Sequence, residues 1–262
     1  MLAATVMLLH HAATASPILV DLNSAAGFAV LAGTGITITG PTTITGDIGA
    51  IPITGLGNVT LNGVNHADDA VTAQAGVDLA AAYTDAFGRS YDTVYTAGFD
   101  LGGGTVLFSG VYKDTTSFGI TGTLTLDARW DPNAVWIFQT GSTLITASGS
   151  KVALVGGAQA DHVFWQVGSS ATLGTGTDFA GSILALESIT LNTGATVDGR
   201  VLALNGAVTL DNNTLDNSPL DSSTVPEPST FAFMGTAILA LATTFHRNVR
   251  VTLSKLLSSR KS

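Results

Sequence analysis

Between Ala171 and Leu215 apolar and polar positions alternate in short runs, and the runs repeat. Three tripeptides share one form: Ala171-Thr172-Leu173, Ile189-Thr190-Leu191 and Val208-Thr209-Leu210, with their threonines 18 and then 19 residues apart. Thr177, Thr196 and Thr214 follow at spacings of 19 and 18. Apolar-Thr-apolar runs broken by Gly, Asn and Asp at this period predict the coils of a β-solenoid. No single coil buries its own apolar side, so stacked coils share one core. Strand alternation sends Ile189 and Leu191 inward and Thr190 outward. Stacking then lines the outward threonines into ladders.

The same texture appears elsewhere. From Asp21 to Asn65 the chain is rich in Gly and Thr, with Gly33-Thr34-Gly35, Thr39-Gly40-Pro41 and Thr45-Gly46-Asp47 punctuating short strands. Ile120–Leu126, Val135–Leu144 and Val163–Leu173 read as further coils with different spacers. Thr125 and Thr143 are 18 apart and extend the first Thr series backward. One stretch breaks the pattern. Residues 66–87 predict a helix, with Ala70, Ala73, Val77, Ala80, Ala81 and Tyr83 or Thr84 as a small-residue stripe near helical spacing. Asp68 and Asp69 fall in its first turn, where the helix dipole favours them, and Gly88 stops it. The expectation is a solenoid, residues 16–215, with a helix laid along one side.

The two ends differ from this body. Residues 1–15 combine a short apolar run with Ala13-Thr14-Ala15 and read as a secretory leader. Residues 216–224 are a polar linker. Pro226-Glu227-Pro228 then precedes an apolar run, 230–245, expected to be a membrane-spanning helix, and a basic tail that should stay cytoplasmic.

Composition narrows the function classes. Charged residues are only 11% of the chain, and the formal net charge is −9. Residues 16–224 hold five basic residues against 18 acidic ones, so this body repels nucleic acid and anionic lipid. There is no cysteine, hence no disulfide and no thiolate metal site.

The wording of the body resembles the DUF3494 ice-binding protein family over residues 22–215. The segments that carry the likeness are AGFAVLAGTGITITGPTTITGDIG, HADDAVTAQAGVDLAAAY, VWIFQTGSTLITASGS and the run from Val163 to Thr214. The resemblance implies a mainly β fold: a discontinuous β-solenoid of triangular cross-section with one long α-helix alongside, to which the tail adds a C-terminal hydrophobic helix. It also implies ice as the partner, bound on a flat helix-free face, with no cofactor and no catalysis. Family members carry a Thr-(Ala/Gly)-x-(Thr/Asn) pattern on that face. Thr193-Gly194-Ala195-Thr196 matches it fully, and Thr175-Gly176-Thr177-Asp178 ends in Asp. Thr146-Ala147-Ser148 begins it, and Asp211-Asn212-Asn213-Thr214 supplies a comparable polar set. The candidate ice-binding residues are therefore Thr146, Thr175, Thr177, Thr193, Thr196, Asn212 and Thr214. The alternative ladder is Thr125, Thr143, Thr172, Thr190 and Thr209, which can equally be the side under the helix or a solvated face. The C-terminus resembles a PEP-CTERM sorting signal, Pro226, Glu227 and Pro228 with the helix and basic residues after them. That implies exosortase-type processing, a transient inner-membrane anchor and export from a Gram-negative cell.

Other chemistry is weakly supported. His66-Ala67-Asp68-Asp69 sits where the helix begins, so capping explains it better than metal. Asp161-His162 is a pair on a turn. Glu187 is the single Glu of the body, so no paired-Glu glycosidase site exists. Trp130, Trp136 and Trp165 are expected in the core or at a cap. A cell-surface adhesin or biofilm-matrix solenoid binding polysaccharide is the alternative reading, and a polysaccharide-active β-helix enzyme a more distant one.

Overall fold

The computed structural model describes residues 16–218. The apolar-Thr runs are strands, and they pair in parallel as eight coils. Coil 1 is β1 (Phe28–Ala32), β2 (Gly35–Ile38) and β3 (Thr42–Thr45); coil 2 is β4 (Asp47–Gly49), β5 (Ile53–Thr54) and β6 (Val59–Asn62). Helix α1 (Ala70–Gly88) comes next. Coil 3 holds β7 (Thr93–Tyr95) and β8 (Thr105–Leu107), with a bridge from Asp100 to Gly119 between them. Coil 4 is β9 (Gly110–Asp114), β10 (Phe118–Ile120) and β11 (Thr123–Asp127); coil 5 is β12 (Trp136–Thr140), β13 (Leu144–Thr146) and β14 (Lys151–Val155). Coil 6 is β15 (Val163–Val167), β16 (Ala171–Leu173) and the first half of β17 (Asp178–Ala185). Coil 7 takes the rest of β17, β18 (Ile189–Leu191) and the first half of β19 (Thr196–Ala203). Coil 8 takes the rest of β19, β20 (Ala207–Leu210) and β21 (Thr214–Asp216). The first strands of the coils form one stack, the second strands another and the third strands a third.

Chain order is not stacking order. β1 lies between β19 and β4, β2 between β20 and β5, and β3 between β21 and β6. Coil 1 therefore packs on coil 8, coil 2 closes that end, and coil 3 closes the other. The chain must return from one end to the other between coils 2 and 3, and α1 makes that journey. Its 19 residues span about 28 Å, against roughly 34 Å for eight strands at 4.7–4.9 Å spacing.

The 18-residue period is real only where strands run through a corner. β17 and β19 each serve two stacks, bending at Gly181 (φ 111°) and Gly199 (φ 135°), where an added Cβ would meet backbone carbonyls of the coil below. Ala171 pairs with Ile189 and Ile189 with Val208, at 18 and 19 residues. Coil 5 instead leaves its third strand through a loop and a 3₁₀ turn (Ala160–His162) before β15. Leu144 and Ala171, 27 apart, are partners across that loop, and Phe118 and Leu144, 26 apart, are partners across the connection 128–135 between β11 and β12. Thr125 and Thr143 are consequently not in one ladder. Thr125 lies on β11 in the third stack, and Thr143 precedes β13 in the second.

Two cores result. The inner one fills the coils and holds a column of aromatics: Tyr112, Phe138, Trp165 and Phe179, with successive centroids 5.4, 3.9 and 5.2 Å apart. The outer core lies between the first stack and α1. Leu31, Ile137, Phe164, Leu184 and Leu202 face Ala75, Leu79, Ala82 and Ala86 there. Burying Leu79 stabilises by roughly 1.5–3 kcal/mol. The buried stripe of α1 is thus not the expected one: Val77 is 63% exposed, and Ala73 and Ala81 are exposed as well. In so Ala-rich a helix several stripes have similar apolarity, and Leu79 decides among them. Trp136 and Trp165 are core residues, but Trp130 is 84% exposed, which corrects the expectation for it.

The helix starts later than 66. Asp69 is its N-cap and accepts from Thr72 N at 2.9 Å, while Asp68 stands outside in a left-handed conformation (φ 58°). His66 Nδ1 meets Asp69 Oδ2 at 2.7 Å, so this cluster secures a cap. Gly88 is the last helical residue. Gln139 Nε2, from the sheet below, donates to Ala86 O and Arg89 O at 2.8 Å each, partnering carbonyls that a helix end leaves open. Among the described residues no helix is long and apolar enough to cross a membrane.

Asp114, at the end of β9, is fully buried. Burial pushes its carboxyl up, but donors on Phe99 N (2.9 Å), Thr116 N (2.7 Å) and Thr116 Oγ1 (2.8 Å) outweigh that and hold it below the ordinary value. A depressed folded-state pKa contributes stability that is present above the unfolded value and lost as pH falls through the folded one. Melting curves should show wild type losing stability as pH drops below about 4. Asp114→Asn should melt lower at neutral pH and show a flatter acid limb. An unchanged acid limb in the variant would refute this role.

Candidate functional site

Two ladders stand on the stacks that α1 leaves uncovered. In the third stack the outward row runs Thr60, Thr43, Thr214, Thr196, Asp178, Lys151 and Thr123, each in register with the next. Four consecutive members are threonines, at the end built from coils 7, 8, 1 and 2. Beside them run Asn62, Thr45, Asp216, Asp198 and Ala180. Toward coil 5 the row becomes ionic: Lys151 Nζ meets Asp178 Oδ2 at 2.5 Å.

The predicted four-residue pattern is the corner between the second and third stacks. Its second residue is left-handed in successive coils: Gly149 (φ 68°), Gly176 (66°), Gly194 (74°) and Asn212 (55°). That conformation favours Gly or Asn and turns the chain into the third stack. The first residue is Ser148, Thr175, Thr193 or Asp211, and it lies at the surface. The third points inward: Ser150, Thr177, Ala195 and Asn213 are all buried. The fourth, Lys151, Asp178, Thr196 or Thr214, opens the outward row.

This geometry sorts the candidate residues. Thr175, Thr193, Thr196, Asn212 and Thr214 are exposed on the corner and its row. Thr146 and Thr177 are not available to a surface ligand, being 3% and 1% exposed. Their hydroxyls bond each other at 2.7 Å, and Thr146 Oγ1 accepts from Gly174 N at 2.9 Å. Thr146 aligns with Ile120 in register and fills a core position, so the pattern in coil 5 begins two residues later, at Ser148. The sequence reading also missed Thr43 and Thr60, which come from the irregular N-terminal coils. Their signal was present in Thr42-Thr43-Ile44-Thr45 and Val59-Thr60-Leu61, but nothing local says that these strands extend the row of Thr196 and Thr214.

The hydroxyls are held before any ligand arrives. Thr193 Oγ1 donates to Asp211 Oδ2, and Thr39 Oγ1 donates to Asp211 Oδ1 at 3.2 Å, so one carboxylate orders two corner threonines. Thr196 Oγ1 donates to Asp178 Oδ1 at 3.2 Å. Burial first, then repulsion from Asp216, Asp161 and Asp178, pushes the Asp198 carboxyl up, with Arg200 opposing. The row therefore has a carboxylate column at its margin.

In the second stack the row is Thr54, Thr37, Thr209, Thr190 and Thr172, then Ile145 and Gly119. Thr172, Thr190 and Thr209 of the alternative ladder are thus one row, and α1 does not cover it. Asp161 and His162 lie in the 3₁₀ turn before β15, where His162 Nδ1 is 3.2 Å from Ala134 O. Among the described residues no group of three or more His, Cys, Asp or Glu is placed to hold a metal ion. Pro226, Glu227 and Pro228 lie outside the described residues.

The fold and the sequence have known relatives. The model of the ice-binding-like family matches residues 30–216. An ice-binding protein of Nostoc sp. (strain HG1) is 46% identical over 238 residues, 87% of this chain and 87% of that protein. One from Flavobacterium frigoris (strain PS1) is 37% identical over 212 residues, 75% of each. The crystal structure of the ice-binding protein of the Antarctic ascomycete Antarctomyces psychrotrophicus superposes with a TM-score of 0.74 at 38% identity, over 76% of this chain and 98% of that one. An ice-binding protein from an Antarctic biological consortium gives 0.74 at 47% identity, over 77% and 92%.

Proposed function

We infer that this chain, which belongs to the ice-binding-like family, is an ice-binding protein that adsorbs to crystals and restrains their growth and recrystallisation. The observation that carries the choice of surface is the unbroken row Thr196, Thr214, Thr43 and Thr60 on the uncovered third stack. Neighbouring strands stand about 4.7–4.9 Å apart, close to an oxygen repeat of the ice lattice. Threonine is stiff at χ1, so each hydroxyl and methyl keeps its place. Asp211 fixes Thr193 and Thr39 further. A surface ordered in advance loses little entropy on adsorption. The methyls order a water layer and the hydroxyls anchor it. Thr175, Thr193 and Asn212 line the rim of this surface, and Thr45 and Asn62 its far side. The same reading takes the three stacks as sides of a triangular section, one of which lies flat on the crystal. Adsorption involves no bond making, so the site requires no catalytic group.

A recrystallisation assay tests this function. Grain size should hold constant with the purified protein and coarsen with buffer. Coarsening at the same rate in both rejects the ice-binding reading.

The ends fit a protein that works outside the cell. Residues 1–15 and the stretch with Pro226, Glu227 and Pro228 lie outside the described residues. We read them as an export leader and an exosortase-type sorting signal, with residues 230–245 as a transient inner-membrane anchor. Intact-mass measurement on exported protein should find both ends trimmed. An exported chain that retains residues 230–245 would overturn the sorting reading.

A further inference from the structure

We propose that the second stack is a second ice-contacting face, not coplanar with the first, so that one molecule engages two crystal planes. The proposal rests on the ice-binding reading above and extends it to a surface that reading does not use.

Three observations carry it. The first is register. Thr172, Thr190, Thr209, Thr37 and Thr54 occupy five successive coils in one outward row. The row crosses the break in chain order, because Thr209 and Thr37 belong to segments far apart in sequence yet meet as partners. A local repeat does not produce that match. It requires the N-terminal coils to present Thr at the same height and on the same side as the C-terminal ones. The same break is bridged by Thr214 and Thr43 in the third stack, so both uncovered stacks keep threonine across it.

The second is charge. From coil 4 to coil 2 this row reads Gly119, Ile145, Thr172, Thr190, Thr209, Thr37 and Thr54, with no ionisable side chain. The third stack places Asp178, Lys151, Asp198 and Asp216 on its outward positions. A fixed charge orders water radially around itself and so opposes a lattice-like layer. By this criterion the second stack is the better template of the two.

The third is order. Thr172, Thr190 and Thr209 are half-buried between their neighbours, which restricts their rotamers. Thr54 Oγ1 donates to Ile36 O and to Thr37 Oγ1, both at 3.3 Å. Helix α1 packs on the first stack, leaving this side open.

The test is fluorescent imaging of a single-crystal ice hemisphere grown in the full chain fused to a fluorescent protein. Wild type should illuminate two families of planes. Thr190→Tyr should extinguish one, Thr214→Tyr the other, and the double variant both, with unchanged circular dichroism. Thr37→Tyr, at an exposed position of the same row, carries the test if Thr190→Tyr does not fold. A wild-type pattern in both second-stack variants overturns the proposal. If Thr214→Tyr still loses its planes in that case, the single-face reading stands; if it does not, that reading falls too. Loss of all planes in Thr190→Tyr alone overturns the two-face proposal in favour of one face on the second stack.

Discussion

Replacing Trp165 by alanine is expected to cost about 3–5 kcal/mol. Trp165 is 1% exposed and sits mid-column, its ring 3.9 Å from Phe138 at an interplanar angle of 9° and 5.2 Å from Phe179. Its Nε1 donates to Ala180 O at 3.1 Å. Truncation leaves a cavity and frees that carbonyl, and a parallel stack cannot close the gap without breaking register with coils on both sides. The melting temperature should fall by on the order of 10 °C for a unit of this size. Trp130→Ala, at an 84% exposed position, should change stability by no more than about 0.5 kcal/mol. Equal losses in the two variants would refute the assignment of the core.

The second large effect is functional. Thr214→Tyr should reduce adsorption to the third-stack planes to background while leaving melting within about 0.5 kcal/mol of wild type. Thr214 is exposed between Thr43 and Thr196. A tyrosine there is tolerated by the strand, but its ring holds a flat surface off the crystal along the whole row. The control is Val77→Tyr on the exposed side of α1, where Val77 is 63% exposed. That variant should adsorb like wild type. Full adsorption by Thr214→Tyr would remove the third stack from the site.

What the sequence revealed follows from which elements are continuous. The last coils were legible because β17 and β19 run through a corner without a loop, so partners fall 18 and 19 residues apart. The runs of coils 4 to 6 were legible as coils, but their register was not. The connection 128–135 between β11 and β12 puts Phe118 and Leu144 26 residues apart, so Thr125 and Thr143, though 18 apart, land on different stacks, and the loop and 3₁₀ turn between β14 and β15 put Leu144 and Ala171 27 apart. The corner pattern was legible where Thr precedes the left-handed residue, at Thr175-Gly176 and Thr193-Gly194. In coil 5 Ser148 stands before Gly149, and Thr146-Ala147 imitates the start of the pattern although Thr146 fills a core position. The helix was legible as an element, but its buried stripe was not, because Ala-rich faces are nearly equivalent until Leu79 meets the sheet. The position of coil 1 was invisible. Residues 28–45 carry no local sign that they pack on residues 200–216, yet that packing completes both Thr rows.

The most direct measurement is partition of the purified protein between a growing ice front and the liquid ahead of it. Adsorption through the ordered threonine rows predicts that wild type enriches in the ice fraction and that a variant carrying both Thr190→Tyr and Thr214→Tyr stays in the liquid. Wild type left behind in the liquid, or a double variant that enriches equally, would contradict the account.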